Sequence, residues 1–161
     1  MASLIVLRHA KAIAGLGLAD IERPLADRGR RDAAVAGEWL RDAGLVPELV
    51  LCSTSVRTRE TLEQLAFTGG EVRFEDSIYD NDPETLLALV RESGDEVGTL
   101  LLIGHNPSVH QLVHDLTGNA PESFPTCALA VIGIEGGWAE AWPGTGELST
   151  SRTPKDAKAQ G

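Results

Sequence analysis

Two histidines occupy matching places in the sequence, each close behind a short apolar run. His9 comes after residues 4–7 with Arg8 beside it, and His105 comes after residues 99–103. An unprotonated imidazole nitrogen can act as a nucleophile or a base, and a neighbouring arginine can bind an anion. A strand that simply ends in polar surface residues would explain the first pair alone. The second histidine in a matching setting favours chemistry on a phosphate group.

The apolar runs predict the elements that position these side chains. Residues 4–7 and 99–103 are typical of short buried strands, and ligands of open α/β sheets bind at the carboxyl ends of the strands. After the second run, Asn106 is a good helix cap and Pro107 a good first helical residue. The free N–H groups and the dipole at such a helix start favour an anion beside His105. The two strand ends are therefore expected to form one phosphate pocket.

Three motifs, in this order, resemble those of the histidine phosphatase superfamily. The Arg-His motif is matched by residues 7–11 (LRHAK), and the Ser-x-x-x-Arg-x-x-x-Thr segment by residues 53–61 (STSVRTRET). The second-histidine motif is matched by residues 104–107 (GHNP). The similarity runs from about residue 3 to about residue 142, and it is greatest to the SixA-type phosphohistidine phosphatases. One departure is Ala26, where the family usually has a threonine.

The alternation of strand-like and helix-like segments predicts an α/β domain with a mostly parallel sheet. Near the C-terminus, residues 127–134 are expected to form an antiparallel hairpin with residues 138–142. The resemblance implies a three-layer αβα sandwich of the phosphoglycerate mutase-like type. Larger relatives insert a helical lid after the third strand, but here residues 76–82 are read as a short loop that leaves no room for one. We expect an open pocket.

Length and composition favour one globular domain over residues 1–148, followed by a flexible tail over residues 149–161. The net charge of −10 argues against a nucleic-acid or an anionic-membrane partner. Cys52 and Cys127 lie in apolar segments and are interpreted as buried free thiols. There is no signal-peptide pattern and no apolar run of membrane-spanning length, so a cytoplasmic protein is expected.

The resemblance implies phosphoryl transfer through a covalent phosphohistidine. His9 would attack phosphorus, and water would then hydrolyse phospho-His9. Arg8, Arg57 and His105 would hold the phosphoryl oxygens and offset the developing charge. Neither a metal nor another cofactor is expected, because the arginines supply the positive charge.

The general acid is the least defined part of the site. In many relatives it is a glutamate shortly after the third strand, and the candidates here are Glu75, Asp76 and Asp80. The spacing of residues 78–80 is most similar to the family pattern, which favours Asp80. A plain turn residue next to Asn81 is the alternative reading of Asp80.

Four other polar residues have ordinary explanations. His110 and His114 are four residues apart and could chelate zinc, but no third ligand has a suitable spacing, so they are interpreted as surface histidines. Arg59 is interpreted as a surface residue within reach of Glu63. Lys11 could contact a substrate phosphate or a partner, or simply be a surface charge.

Three functional hypotheses remain. The favoured one is a phosphohistidine phosphatase that acts on a phosphotransfer protein. The second is a small-molecule phosphomonoesterase of broad specificity that uses the same chemistry. The third, from another class, is a non-catalytic module that binds phosphorylated proteins.

Overall fold

A computed structural model of the chain describes residues 1–15 and 17–156. Strands and helices alternate along most of the chain, and two single 3-10 turns cover Asp20–Glu22 and Trp138–Glu140. The strands are β1 (Ala2–Arg8), β2 (Leu49–Ser53), β3 (Glu71–Glu75), β4 (Thr99–Gly104), β5 (Leu129–Ile134) and β6 (Gly146–Arg152). The helices are α1 (Asp27–Asp42), α2 (Val56–Leu65), α3 (Asp76–Tyr79), α4 (Pro83–Arg91) and α5 (Ser108–Thr117).

The six strands form one sheet in the order β3-β2-β4-β1-β5-β6. The first four pair in parallel, whereas β5 pairs antiparallel with both β1 and β6. The prediction of a mostly parallel sheet with an antiparallel hairpin at its C-terminal side is confirmed. Strand β3 and strand β6 are the two edges of the sheet.

Alternate side chains of the central strands enter two separate cores, which makes the fold three layers thick. On β1, Leu4 and Val6 pack into one core while Ile5 and Leu7 pack into the other, and all four are fully buried. This is the two-residue period of a strand that is covered on both faces. The first core is completed by α4 and α5 and the second by α1 and α2.

The hairpin partner differs from the prediction. Residues 138–142 do not form a strand, because Trp138 turns inwards: its side chain is buried and its indole N–H donates to the carbonyl of Val97 at 2.8 Å. Trp138 begins the 3-10 turn Trp138–Glu140. The later strand β6 pairs with β5 in place of residues 138–142.

The predicted start of a flexible tail at residue 149 is also wrong for its first part. Residues 149–152 belong to β6 and pair with β5. A Ser- and Thr-rich sequence is typical of disorder, but at the edge of a sheet polar side chains can face solvent while the backbone pairs. Residues 157–161 of the predicted tail lie outside the described residues.

Two smaller expectations have clear outcomes. Residues 76–82 are not wholly a loop, because the one-turn helix α3 occupies Asp76–Tyr79 before α4 begins at Pro83. Cys52 and Cys127 are free and buried as predicted, and burial raises the pKa of each thiol to about 12. Across residues 1–15 and 17–156, we find no helix with both the length and the hydrophobicity needed to cross a membrane.

Gly37 lies at a close contact between α1 and α2, the helix that carries Arg57. A Cβ atom at Gly37 of α1 would fall on the backbone carbonyl of Leu65, the last residue of α2. We predict that Gly37→Ala destabilises the fold by about 1–3 kcal/mol through overpacking, although the same change in an exposed helix would stabilise it. Urea unfolding measures this, with the exposed neighbour Glu38→Ala as control. A variant at least as stable as the wild type would contradict the packing.

Candidate active site

A cavity of about 470 Å³ opens at the carboxyl ends of β1 and β4. The two histidines and two of the arginines singled out in the sequence meet there. Its lining consists of Arg8, His9, Lys11, Ala12, Asp20, Arg23, Arg57, Tyr79, Asn81, His105, Asn106 and Thr126.

The parallel register of β1 and β4 brings the two histidines together. Arg8 lies opposite Gly104 in the sheet, so the next residue of each strand, His9 and His105, leaves the sheet at the same level. The backbone N–H of His9 still donates to the carbonyl of Gly104 at 3.1 Å. The two imidazole centroids are 5.3 Å apart.

A single hydrogen bond fixes the tautomer of His9. Its Nδ1 lies 2.8 Å from the carbonyl oxygen of Ala10. Because a carbonyl can only accept, Nδ1 carries the proton and Nε2 keeps its lone pair. The side chain is 7% exposed. His9 is therefore a neutral imidazole with an available nucleophilic nitrogen.

Ala10, whose carbonyl orients His9, is hydrogen-bonded to a residue of α2. The N–H of Ala10 donates to the hydroxyl of Thr61 at 3.0 Å, and that hydroxyl donates to the carbonyl of Arg57 at 2.7 Å. Thr61 is fully buried. This chain of contacts explains why a threonine stands four residues after the arginine in the second motif.

Three arginines line the cavity, and two of them, Arg8 and Arg57, were singled out in the sequence. Arg57 is 6% exposed and donates from Nη1 to the carbonyl of Asp20 at 2.8 Å and from Nη2 to its carboxylate at 3.0 Å. Arg8 donates from Nη1 to the carbonyl of Phe124 at 3.2 Å. Within the described residues, the buried Nε of each of these two arginines has no hydrogen-bond partner. Both guanidinium groups line the cavity, and their charge and planar set of N–H donors suit them to bind an oxyanion there.

His105 is neutral but differently engaged. Nη2 of Arg57 lies 3.4 Å from its Nδ1, and a guanidinium can only donate, so Nε2 carries the proton and donates to Ser53 Oγ at 2.8 Å. The expected donation from His105 to a phosphoryl oxygen thus requires a second proton at Nδ1. An anion bound beside it would favour that protonation.

Burial and the surrounding cations keep both rings uncharged. Desolvation by burial lowers the pKa of His9 to about 3. The hydrogen bond to Ala10 opposes this shift, and the charges of His105, Arg57 and Arg8 add to it. Desolvation and then Arg57 lower the pKa of His105 to about 4. Histidines in the unfolded chain take up protons near pH 6.5, whereas these two remain neutral in the fold. The free energy of unfolding therefore decreases as the pH falls below about 6.5.

Sequence reasoning missed a carboxylate inside the cavity. Asp20 Oδ2 accepts from the hydroxyl of Tyr79 at 2.6 Å and from Arg57, and Oδ1 accepts from Arg23 at 3.0 Å. Hydrogen bonds from Tyr79, Arg23 and Arg57 hold the pKa of Asp20 well below its usual range. The only sequence signal was the Asp-x-x-Arg spacing of residues 20–23, in a segment that otherwise reads as loop.

The predicted general acid is not in the cavity. Asp80 is exposed, and neither it nor Glu75 nor Asp76 belongs to the lining. Its neighbours Tyr79 and Asn81 do. At the end of the one-turn helix α3, successive residues project in directions about 100° apart. The sequence pattern identified a segment that lines the cavity, but Asp80 itself does not belong to the lining.

The start of α5 also differs from the prediction. Pro107 is the N-cap and helix α5 begins at Ser108, while the Asn106 side chain donates to the carbonyl of Phe124 at 2.7 Å. Asn81 takes the capping role from another element, because its Oδ1 accepts from the N–H of Ser108 at 3.0 Å. That N–H is therefore not free for an anion.

Arg59 and His114 are exposed, as predicted for surface residues, whereas His110 is half-buried. Arg59 lies over the Phe74 ring at 4.1 Å and not against Glu63. His110 bonds the Pro121 carbonyl at 2.7 Å, and His114 is exposed. In the described ranges, no three His, Cys, Asp or Glu side chains are grouped so as to hold a metal ion. Lys11 is exposed at the rim of the cavity.

The tautomer of His9 leads to a direct prediction. Because its pKa lies near 3, His9 should stay neutral at pH 5, with the proton on Nδ1. Long-range ¹H–¹⁵N NMR of the histidine rings measures this, with His9→Gln identifying the resonance. Protonation of His9 near pH 6.5, or a proton on Nε2 of the neutral ring, would contradict the geometry.

Comparison with known proteins agrees with the geometry. Residues 4–82 match the family model of the histidine phosphatase superfamily (branch 1). An uncharacterized protein of Mycobacterium tuberculosis H37Rv is 37% identical over 161 residues, with 92% of this chain and 100% of that protein covered. The phosphohistidine phosphatase SixA of Escherichia coli K12 is 26% identical, with 82% of this chain and 85% of that protein covered.

A solved structure shows the same relationship in three dimensions. The crystal structure of a SixA-type protein from Agrobacterium tumefaciens is 30% identical and superposes with a TM-score of 0.83, covering 95% of this chain and 98% of that one. The predicted phosphoglycerate mutase-like, SixA-type fold is thereby confirmed. The chain belongs to the histidine phosphatase superfamily and is a phosphatase enzyme.

Proposed function

We propose that this protein is a metal-independent phosphatase that removes phosphate from phosphohistidine on a phosphotransfer protein of the cytoplasm, through a covalent intermediate on His9. One observation carries the proposal. His9 presents an unprotonated Nε2 in a cavity that is lined by the guanidinium groups of Arg8, Arg23 and Arg57. A nucleophile and an oxyanion-binding set in one cavity are the parts that phosphoryl transfer requires.

The geometry suggests a reaction in two steps. Nε2 of His9 attacks phosphorus while Arg8 and Arg57 bind the equatorial oxygens and stabilise the transition-state charge. Attack converts His9 into a phosphorylated imidazolium, because Nδ1 keeps the proton that it shares with the carbonyl of Ala10. Water then attacks phosphorus, and the electron pair of the P–N bond returns to His9. The positive charge needed at each stage comes from the two guanidinium groups.

The cavity supports a leaving group that needs no acid. Asp20 is the only carboxylate among the described lining residues, and its lowered pKa keeps it ionised at neutral pH. A serine alkoxide needs a proton from the enzyme in order to depart, whereas a protonated imidazole departs as a neutral ring. The residues of this cavity therefore favour phosphohistidine over phosphoserine.

The accessibility of the cavity supports a protein substrate. Segment 76–82 adds only one helical turn beside the cavity, and Lys11 and Asp20 at the rim are exposed. A histidine side chain on another protein can enter such a site without closure of a lid. The names of the SixA relatives, which are phosphohistidine phosphatases, support the same substrate class.

The proposal is tested by phosphate release from a phosphohistidine-bearing phosphotransfer protein, with a generic aryl phosphate in parallel. We predict fast release from the phosphoprotein, slow release from the aryl ester, and a loss of at least about 1000-fold in His9→Ala. His114→Ala, at an exposed histidine outside the cavity, is the matched control and should be unchanged.

Two outcomes would contradict the proposal. A preference for the aryl ester would indicate a small-molecule phosphomonoesterase. Binding of the phosphoprotein with no release from either substrate would indicate a non-catalytic module.

A further inference from the structure

Asp20 retains hydrogen-bonding capacity that its protein partners do not use. Its two carboxylate oxygens offer about four acceptor sites. Three of these sites are occupied, by one hydrogen bond each from Tyr79, Arg57 and Arg23. The side chain is 54% exposed, and it lines the cavity. A further donor can therefore approach this carboxylate from the cavity.

The position of Asp20 relative to His9 sets which part of a substrate it meets. His9, Arg57 and His105 are between 4% and 7% exposed and form the floor of the cavity, whereas Asp20 is at its mouth. In-line displacement places the leaving group on the side of phosphorus opposite the attacking nitrogen. With His9 at the floor, the leaving group points outwards, towards the mouth and Asp20.

A carboxylate at this position has opposite effects on two kinds of leaving group. It opposes the negative charge that develops on an alkoxide or a phenolate. It favours a substrate ring that enters as a cationic imidazolium, the form that can depart as neutral imidazole, because an opposite charge nearby stabilises the protonated ring. Asp20 can therefore distinguish the substrates by the charge of their leaving groups.

We propose that Asp20 is a specificity-determining residue that accepts a hydrogen bond from the unphosphorylated ring nitrogen of the substrate phosphohistidine. This inference rests on the proposed function and adds the group that recognises the leaving ring. The substrate ring enters as an imidazolium whose N–H faces Asp20, just as the Nδ1–H of His9 faces the carbonyl of Ala10.

The proposed transfer balances without an outside proton. The bond from phosphorus to Nε2 of His9 forms while the bond from phosphorus to the substrate nitrogen breaks. The electron pair of the broken bond stays on the substrate ring, which leaves as neutral imidazole with its other N–H still bonded to Asp20. His9 becomes the phosphorylated imidazolium, so charge and protons are the same on both sides of the exchange. Asp20 accepts a hydrogen bond throughout and is never protonated.

The test compares Asp20→Asn with the wild type on two substrates: a phosphohistidine-bearing phosphotransfer protein, and 4-nitrophenyl phosphate, whose leaving group has no N–H. We predict that kcat/KM on the phosphoprotein falls about 10- to 100-fold, as expected when a charged acceptor of a hydrogen bond is replaced by a neutral amide. On the aryl phosphate, kcat/KM stays within about twofold of the wild type or rises, because the carboxylate that opposes the phenolate charge is gone. Asp20→Glu keeps a carboxylate and should restore part of the ratio. Glu22→Gln, an exposed carboxylate in the same turn and outside the lining, is the control.

Asp20 also contacts Arg57, and the second substrate separates the two roles. Equal losses on both substrates in Asp20→Asn, with no rescue of the ratio by Asp20→Glu, would overturn the proposal and leave Asp20 as a positioning residue for Arg57. An unchanged rate on the phosphoprotein would overturn it as well. Failure of the proposed function is distinguishable, because there the wild type itself would not release phosphate from the phosphoprotein.

Discussion

The site depends on the parallel pairing of β1 with β4. The register that places Arg8 opposite Gly104 makes both strands end at the same level, and His9 and His105 are the residues that follow. A shift of one residue would turn every side chain of β1 to the other face of the sheet. Leu4 to Leu7 are fully buried on both faces, so neither core would tolerate such a shift. Packing of apolar residues therefore fixes the position of the nucleophile.

The cavity is a basic site in an acidic protein. The net charge is −10, yet the described lining residues contain Arg8, Lys11, Arg23 and Arg57 and one carboxylate. Burial, assisted by Arg57 and Arg8, lowers the pKa values of both imidazoles, which is why a nucleophilic histidine can stay unprotonated here. The same cations attract a phosphate group. One arrangement thus serves both the nucleophile and the substrate.

Much of the fold and several site residues could be predicted, because short stretches of sequence mark them. Apolar runs identified the central strands, and the residues close behind them identified His9 and His105. Arg57 was identified through the resemblance of residues 53–61 to a family motif. Contacts between distant segments could not be predicted in this way. Tyr79 meets Asp20 across 59 positions, and Asn81 caps α5 across 27, without any local pattern that marks them.

The errors at the C-terminal side have the same origin. Trp138 is not part of a hairpin strand, because its side chain is buried and its indole N–H donates to the carbonyl of Val97, 41 positions earlier in the chain. The true hairpin partner, β6, is a polar edge strand that composition alone does not distinguish from a loop. The site could be predicted where chemistry and strand ends coincide, and not where tertiary contacts decide which side chain faces the cavity.

The central claim is that phosphate passes through Nε2 of His9. Its most direct test is rapid quenching of the enzyme with a radiolabelled phosphohistidine-bearing phosphotransfer protein, followed by peptide mapping under alkaline conditions that preserve phosphohistidine. The account predicts an acid-labile, alkali-stable label on the peptide that contains His9, and none in His9→Ala. A label on His105 instead, or turnover of the phosphoprotein by His9→Ala at the wild-type rate, would contradict it.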